Sequence, residues 1–269
     1  MTGFFNKRIG ESRVLFSLIF PVLIFASCGL PSYSYLYPPS EVYTRDNPGD
    51  SSNGQDLIFS NAYQNNLSIF NGYEVYYKIY DPLSGSAARY QNDITSMTAT
   101  GADFNTLNSL GFRRLFFSTS YTDAASFIHD SSRPAFSPDS SLLNQDYRIR
   151  FNLQQDVSPT YLAEPFLSSF TYSSVPYIYR WVYNDSPSGA GTETYTQKQF
   201  GLGSFDIYDS DLPSTVSSAD LSISDYYFYI SYYIMSFGRD TYDITSLVYS
   251  VPVYLGTIKF KCSLTDDFY

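Results

Sequence analysis

Histidine, cysteine, tryptophan and glutamate are the scarce residues of this chain: one, two, one and five respectively in 269. A single imidazole, His129, leaves little for acid–base or zinc chemistry, which draws on several His and Cys ligands. No HExxH, CxxC or GxSxG pattern accompanies it. In Phe127-Ile-His-Asp130, ahead of a Ser-Pro loop, an ordinary hydrogen bond is its simplest role. Gly201-Leu-Gly203 is followed by no Gly-Lys-Ser/Thr, so a phosphate loop is excluded. Basic residues number 16 against 26 acids, a net charge of −10. Nucleic acid, whose phosphates need clustered Lys and Arg, is therefore not an expected partner, and neither is electrostatic docking on anionic lipid. No apolar run reaches the roughly 20 residues that span a bilayer as a helix.

The most informative segment that is present lies at the N-terminus. Lys7, Arg8 and Arg13, against Glu11, precede a short apolar stretch, Val14 to Ala26, that contains Pro21. A cationic start, a short apolar core and a small-residue site describe an export signal. The run Phe25-Ala-Ser-Cys28 resembles a bacterial lipobox. Phe25 stands where strict lipoboxes carry Leu, as the looser spirochaetal ones allow. The resemblance implies removal of residues 1–27 and lipidation of Cys28, with a membrane partner reached through acyl chains such as palmitate. Cys262 is then alone, no intramolecular disulfide forms, and it reads as a small buried residue. Residues 28–56, rich in Pro, Gly, Ser and Asn, read as a flexible tether.

Asp outnumbers Glu about four to one, which favours turns and caps over helices. With 28 Tyr and 22 Phe the chain reads as β-rich. Phe70 to Tyr80 is the clearest strand, with Tyr73, Val75, Tyr77 and Ile79 on one face and Glu74, Tyr76, Lys78 and Tyr80 on the other. Further strands are expected at 112–118, 147–153, 176–183, 200–208, 226–235 and 247–258. Pro252 places the last at an edge or a bulge. Between 88 and 110, Ile94, Met97, Phe104, Leu107 and Leu110 recur at helical spacings, predicting one or two short helices.

Many short strands parted by turns predict an all-β sandwich over residues 57–262, with that helical insertion and a C-terminal tail, 263–269. Two pieces resemble fibronectin type III domains of the immunoglobulin-like class. Gly72-Tyr-Glu-Val-Tyr-Tyr77 is similar to their third strand. Leu221 with Tyr226, Phe228 and Ile230 resembles the tyrosine-corner segment entering the sixth, and the resemblance implies that Ser250-Val-Pro-Val-Tyr254 is the last strand. The chain as a whole resembles uncharacterised lipoproteins of treponemes and other spirochaetes, which implies a location in the bacterial cell envelope or at the bacterial surface.

Candidates for chemistry are few. Glu74, Glu164 and Glu193 are the glutamates available for a paired-carboxylate glycosidase mechanism. Glu74 shares a strand face with Lys78 and reads as a solvated charge. Asp206, Asp209 and Asp211 offer oxygens but lack the Gly and closing Glu of a calcium loop, so they read as caps of turn amides. Arg148 with Arg150, and Arg113 with Arg114, suit an anion, although a solvated sheet face is their default. Surplus tyrosine offers flat contact area to a protein or a glycan, and equally serves as a β-former. The expectation is a lipid-anchored envelope protein with a binding or structural role, its ligand unspecified, with no catalytic residues, metal or cofactor. A carbohydrate-binding module or an Asp/Glu glycosidase is the alternative.

Overall fold

Aromatic side chains on both faces, with Val75 and Ile79 on one, make Phe70–Tyr80 suited to a strand buried from two sides, and that is where it lies. The computed structural model describes residues 34–45, 56–65, 68–82, 86–118, 148–153, 177–183, 195–198, 200, 205–223, 226–240 and 246–261. In chain order the strands are β1 (Ser40–Arg45), β2 (Asp56–Ser60), β3 (Phe70–Tyr80), β4 (Arg113–Arg114), β5 (Phe116–Ser118), β6 (Arg148–Asn152), β7 (Tyr177–Tyr183), β8 (Tyr195–Lys198), β9 (Tyr227–Arg239), β10 (Leu247–Tyr249) and β11 (Val253–Lys261). The helices are α1 (Ser86–Thr98), α2 (Phe104–Ser109) and α3 (Ser218–Leu221).

The described residues are mostly antiparallel sheet. A central sheet runs β4–β3–β9, with β10 and β11 sharing the outer edge of β9. A second sheet runs β1–β2–β6 and a third β5–β7–β8. On one face of the central sheet, Tyr73, Val75, Tyr77, Ile79, Phe228, Ile230, Tyr232 and Ile234 join Leu57 and Phe59 of β2 in the main core. Phe59 meets Tyr73 edge to face at 5.0 Å between ring centres. The opposite face presents Tyr76, Tyr233 and Met235 to Met97 of α1 and Leu107 of α2. Both faces are thus covered, one by sheet and one by helix.

Local chemistry fixes the helical cap. The Asp103 carboxylate accepts the Thr106 N–H at 2.9 Å while the Thr106 hydroxyl accepts the Asp103 N–H at 3.3 Å, a capping box at the start of α2. The Thr106 N–H holds the Asp103 carboxyl below its usual range. At the other end Phe112 N–H reaches the Leu107 carbonyl and Gly111 N–H the Asn108 carbonyl, with Gly111 at φ +82°. That left-handed closure suits glycine and turns the chain straight into β4. A second glycine is required for a different reason: at Gly238, opposite Phe70, a Cβ would stand 2.1 Å from the Ile69 carbonyl oxygen.

Several expectations change. Within the stretch read as tether, Leu36 is completely buried and Ser40–Arg45 form β1, paired with β2. The 112–118 strand breaks at Leu115 into β4 and β5, because Leu115 turns into the main core. The last strand divides around Val251-Pro252 into β10 and β11, and β11 carries a bulge between Tyr254 and Gly256. Residues 205–213 form consecutive turns where a strand was expected, and β8 appears where none was. α1 and α2 fall where helices were expected.

A polar cleft between the helical cap and the 210–213 turn

Glu74, read from sequence as a solvated charge, is fully buried, and that reading is corrected here. The helices cover its strand face. Antiparallel pairing sets Tyr76 opposite Arg114, so the guanidinium arrives beside the carboxylate. Arg114 Nη1 donates to Glu74 Oε1 at 2.6 Å, and the Tyr76 hydroxyl donates to Oε2. A buried carboxylate is tolerated only when paired and hydrogen-bonded, and both conditions hold. Burial and then the neighbouring Glu74 charge push the Tyr76 phenol far above its ordinary value. Burial works against the Arg114 charge, but Glu74 outweighs it and holds Arg114 above its usual range.

Two residues along the same face, Lys78 donates to Asp93 Oδ2 of α1 at 2.5 Å and to the Leu110 carbonyl at 2.6 Å. The Tyr80 hydroxyl donates to the same Asp93 oxygen at 2.7 Å. Strand β3 is thus bolted to α1 and to the end of α2 by one cation, which satisfies a helix-terminal carbonyl as it does so.

On the other face, Arg180 of β7 is fully buried. Its Nη1 lies 2.8 and 2.9 Å from the two oxygens of Asp211, and its Nη2 lies 3.3 Å from Asp209. The guanidinium carbon sits 4.3 Å from the centre of the Phe205 ring. Asp209 also accepts from Lys198 and from the Asp206 N–H, and Asp211 accepts the Tyr77 hydroxyl at 2.7 Å. Burial opposes the Arg180 charge, yet Asp211, with Tyr77 and Asp209, keeps its pKa raised. Asp206 and Asp209 do accept turn amides as expected, Asp206 from Tyr208 N–H at 3.1 Å. The ion pairs of Asp209 and Asp211 with Arg180 were not foreseen.

Between these two clusters lies a cleft of about 370 Å³. Lys78, Arg89, Asn92, Asp93, Arg113 and Asp211 contribute to its walls. Its acids are committed inward: Asp211 to Arg180 and Tyr77, Asp93 to Lys78 and Tyr80. Asp81, also in the wall, accepts from Thr215 and Tyr226. Arg113 is held by the Ser210 carbonyl and hydroxyl at 2.5 and 3.0 Å. Among the described residues, neither Arg89 nor Arg113 pairs with a carboxylate. The cleft therefore offers donors, in the size range of small-molecule sites.

The other sequence candidates fall elsewhere. Cys28, His129, Glu164, Glu193, Gly201, Gly203 and Cys262 lie outside the described residues. β6 places Arg150 opposite Ile58 and Arg148 opposite Ser60. Among the described tyrosines, Tyr73, Tyr76, Tyr77, Tyr80, Tyr226, Tyr232 and Tyr233 are buried, Tyr90, Tyr227, Tyr229, Tyr249 and Tyr254 are half-buried, and Tyr35, Tyr37, Tyr63 and Tyr208 are exposed. Among the described residues no group of three or more His, Cys, Asp or Glu is arranged to hold a metal, and no helix is long and apolar enough to cross a membrane. Comparison with protein-family models, curated proteins and solved structures finds no match.

Proposed function

We propose that this chain is a lipid-anchored bacterial envelope protein whose fibronectin III-like sandwich binds a small acceptor-rich ligand, a saccharide segment above all, in the cleft beneath its helical cap. Strand order supports the fold reading. In that family the first, second and fifth strands share one sheet and the third, sixth and seventh the other. β1–β2–β6 and β3–β9–β11 follow this order. The anchor rests on the lipobox-like Phe25-Ala-Ser-Cys28.

The observation that carries the binding role is the pair Arg89 and Arg113 beside a cleft whose carboxylates are all occupied by protein donors. Guanidinium forks present fixed donors to hydroxyl, carboxylate or phosphate oxygens. Binding, not turnover, is the activity this wall supports. A glycan array probed with the full chain is expected to give hits that weaken roughly tenfold or more in Arg89→Ala/Arg113→Ala, as loss of two charged hydrogen bonds implies. Hits unaffected by that change, or hydrolysis of a bound glycan, would count against the reading. The anchor is tested separately: radioactive palmitate should label the wild type and not Cys28→Ala.

A further inference from the structure

Three of the four exposed tyrosines, all but Tyr208, lie on chain segments that come together. Tyr35 and Tyr37, 58% and 48% exposed, touch edge to face at 5.1 Å between ring centres. A buried polar network gathers their segment with two others. Asn65 Oδ1 accepts the Tyr37 N–H at 2.6 Å and its Nδ2 donates to the Tyr37 carbonyl at 3.0 Å. The Ser236 hydroxyl donates to that same carbonyl at 2.6 Å. Ser236 in turn donates its N–H to the Ser250 hydroxyl at 2.9 Å. Tyr63, two residues before Asn65, and Val251, next to Ser250, are 43% and 52% exposed. Four exposed side chains, three Tyr and one Val, therefore lie on the segments that one hydrogen-bonded knot joins.

Charge is missing from the three chain segments that carry these side chains, with Glu41, Arg239 and Asp240 at their margins. Residues 29–40, 61–73 and 244–258 contain no Asp, Glu, Lys or Arg, where a 16% charged composition would place about six in forty residues. Elsewhere the chain is strongly acidic and repels anionic headgroups. Tyrosine, with an apolar body and a polar tip, is the side chain that settles at the membrane–water interface. Distance decides between a membrane and some other occupant. Tyr35 follows Cys28 by seven residues, so a lipid on that cysteine holds Tyr35 within roughly 25 Å of its attachment point.

We propose that the Tyr35–Tyr37–Tyr63–Val251 patch rests on the lipid headgroup layer of the membrane that carries the anchor, fixing the face the domain turns to the bilayer. This rests on the reading of Cys28 as lipidated. The patch then acts as a second attachment beside the acyl chains, neutral where the rest of the surface is acidic.

The test is amide hydrogen exchange on the full lipidated chain attached to phosphatidylcholine vesicles, against Cys28→Ala in solution. Residues 35–37 and 61–65 should exchange roughly tenfold more slowly on vesicles, equivalent to about 1.4 kcal/mol of added opening cost. Tyr35→Ser/Tyr37→Ser/Tyr63→Ser should keep its palmitate label, its vesicle attachment and its circular dichroism spectrum while losing that protection. Label and attachment with unchanged exchange in the wild type would overturn the docked patch and leave the anchor standing. Absence of label and attachment would remove both. Protection produced in solution by envelope saccharide, with none on vesicles, would also overturn it and assign the patch to a glycan.

Discussion

Six tyrosines, Tyr73, Tyr76, Tyr77, Tyr80, Tyr232 and Tyr233, are buried on the two faces of β3 and β9. Burial is the leading cause that holds each of their phenols well above the ordinary value, with Glu74, Asp211 and Asp93 adding to it at Tyr76, Tyr77 and Tyr80. In the unfolded chain the same phenols ionise near pH 10. Above that pH the native state therefore holds more protons than the unfolded state, and stability falls as pH rises. Below pH 10 the contribution of these groups is fully present. Each group removes about 1.4 kcal/mol per pH unit once its unfolded form is fully ionised and about 1 kcal/mol between pH 10 and 11, where ionisation goes from half to nine-tenths, so six remove about 6 kcal/mol over that unit. That rivals the whole stability of an ordinary domain, about 5–15 kcal/mol. Near-ultraviolet phenolate absorbance and circular dichroism, followed together on the Cys28→Ala chain, should show one steep step at about pH 10.5–11.5. In that step the buried phenols ionise as the aromatic dichroism collapses. A shallow titration centred near pH 10 with the folded spectrum intact would refute the reasoning, because it would require these hydroxyls to ionise in place.

Other outcomes follow from the ion pairs and the N-terminal strand. Glu74→Ala strands a mostly covered Arg114 and should cost about 3–5 kcal/mol in a denaturant titration, the range for breaking a buried pair. Arg180→Met should cost a similar amount, because Asp211 and Asp209 lose their buried guanidinium. Restoring charge balance with Asp211→Asn in the same chain should recover part of it. Ile79→Ala should cost about 2–5 kcal/mol as a truncated core aliphatic. A chain beginning at residue 57, which lacks β1 and Leu36, should unfold at lower denaturant than one beginning at residue 34; equal midpoints would deny β1 a place in the core.

Alternation made β3 and β9 legible in the sequence, since a period of two is written residue by residue. The spacing of Met97 and Leu107 likewise announced the helical cap. Pairings across distance were not legible. Glu74 looked solvated because Lys78 shares its strand face, whereas its partner Arg114 stands 40 residues away and arrives through the β3–β4 register. Arg180 lies 29 and 31 residues from Asp209 and Asp211, and no local pattern links them. β1 was hidden by its flank: Pro38 and Pro39 mark a linker by composition, yet the next six residues pair with β2. The cleft depended on all of these and so had no signature of its own.

Gly238 bears on how the chain finds its fold at all. Both faces of β9 are buried and both carry tyrosine, so Tyr232 and Tyr233 are nearly interchangeable to a hydrophobic core. A slip of one residue, which in most strands exposes apolar side chains and is rejected for that reason, would here trade one aromatic face for another. The Ile69 backbone presses so close to position 238 that only a residue without a Cβ fits there. Advancing or retarding β9 by one residue would bring Arg239 or Phe237 to that spot and be refused on contact. The glycine works as a ruler mark for a pairing that hydrophobicity alone leaves nearly degenerate, and it selects which of two similar faces meets the helices.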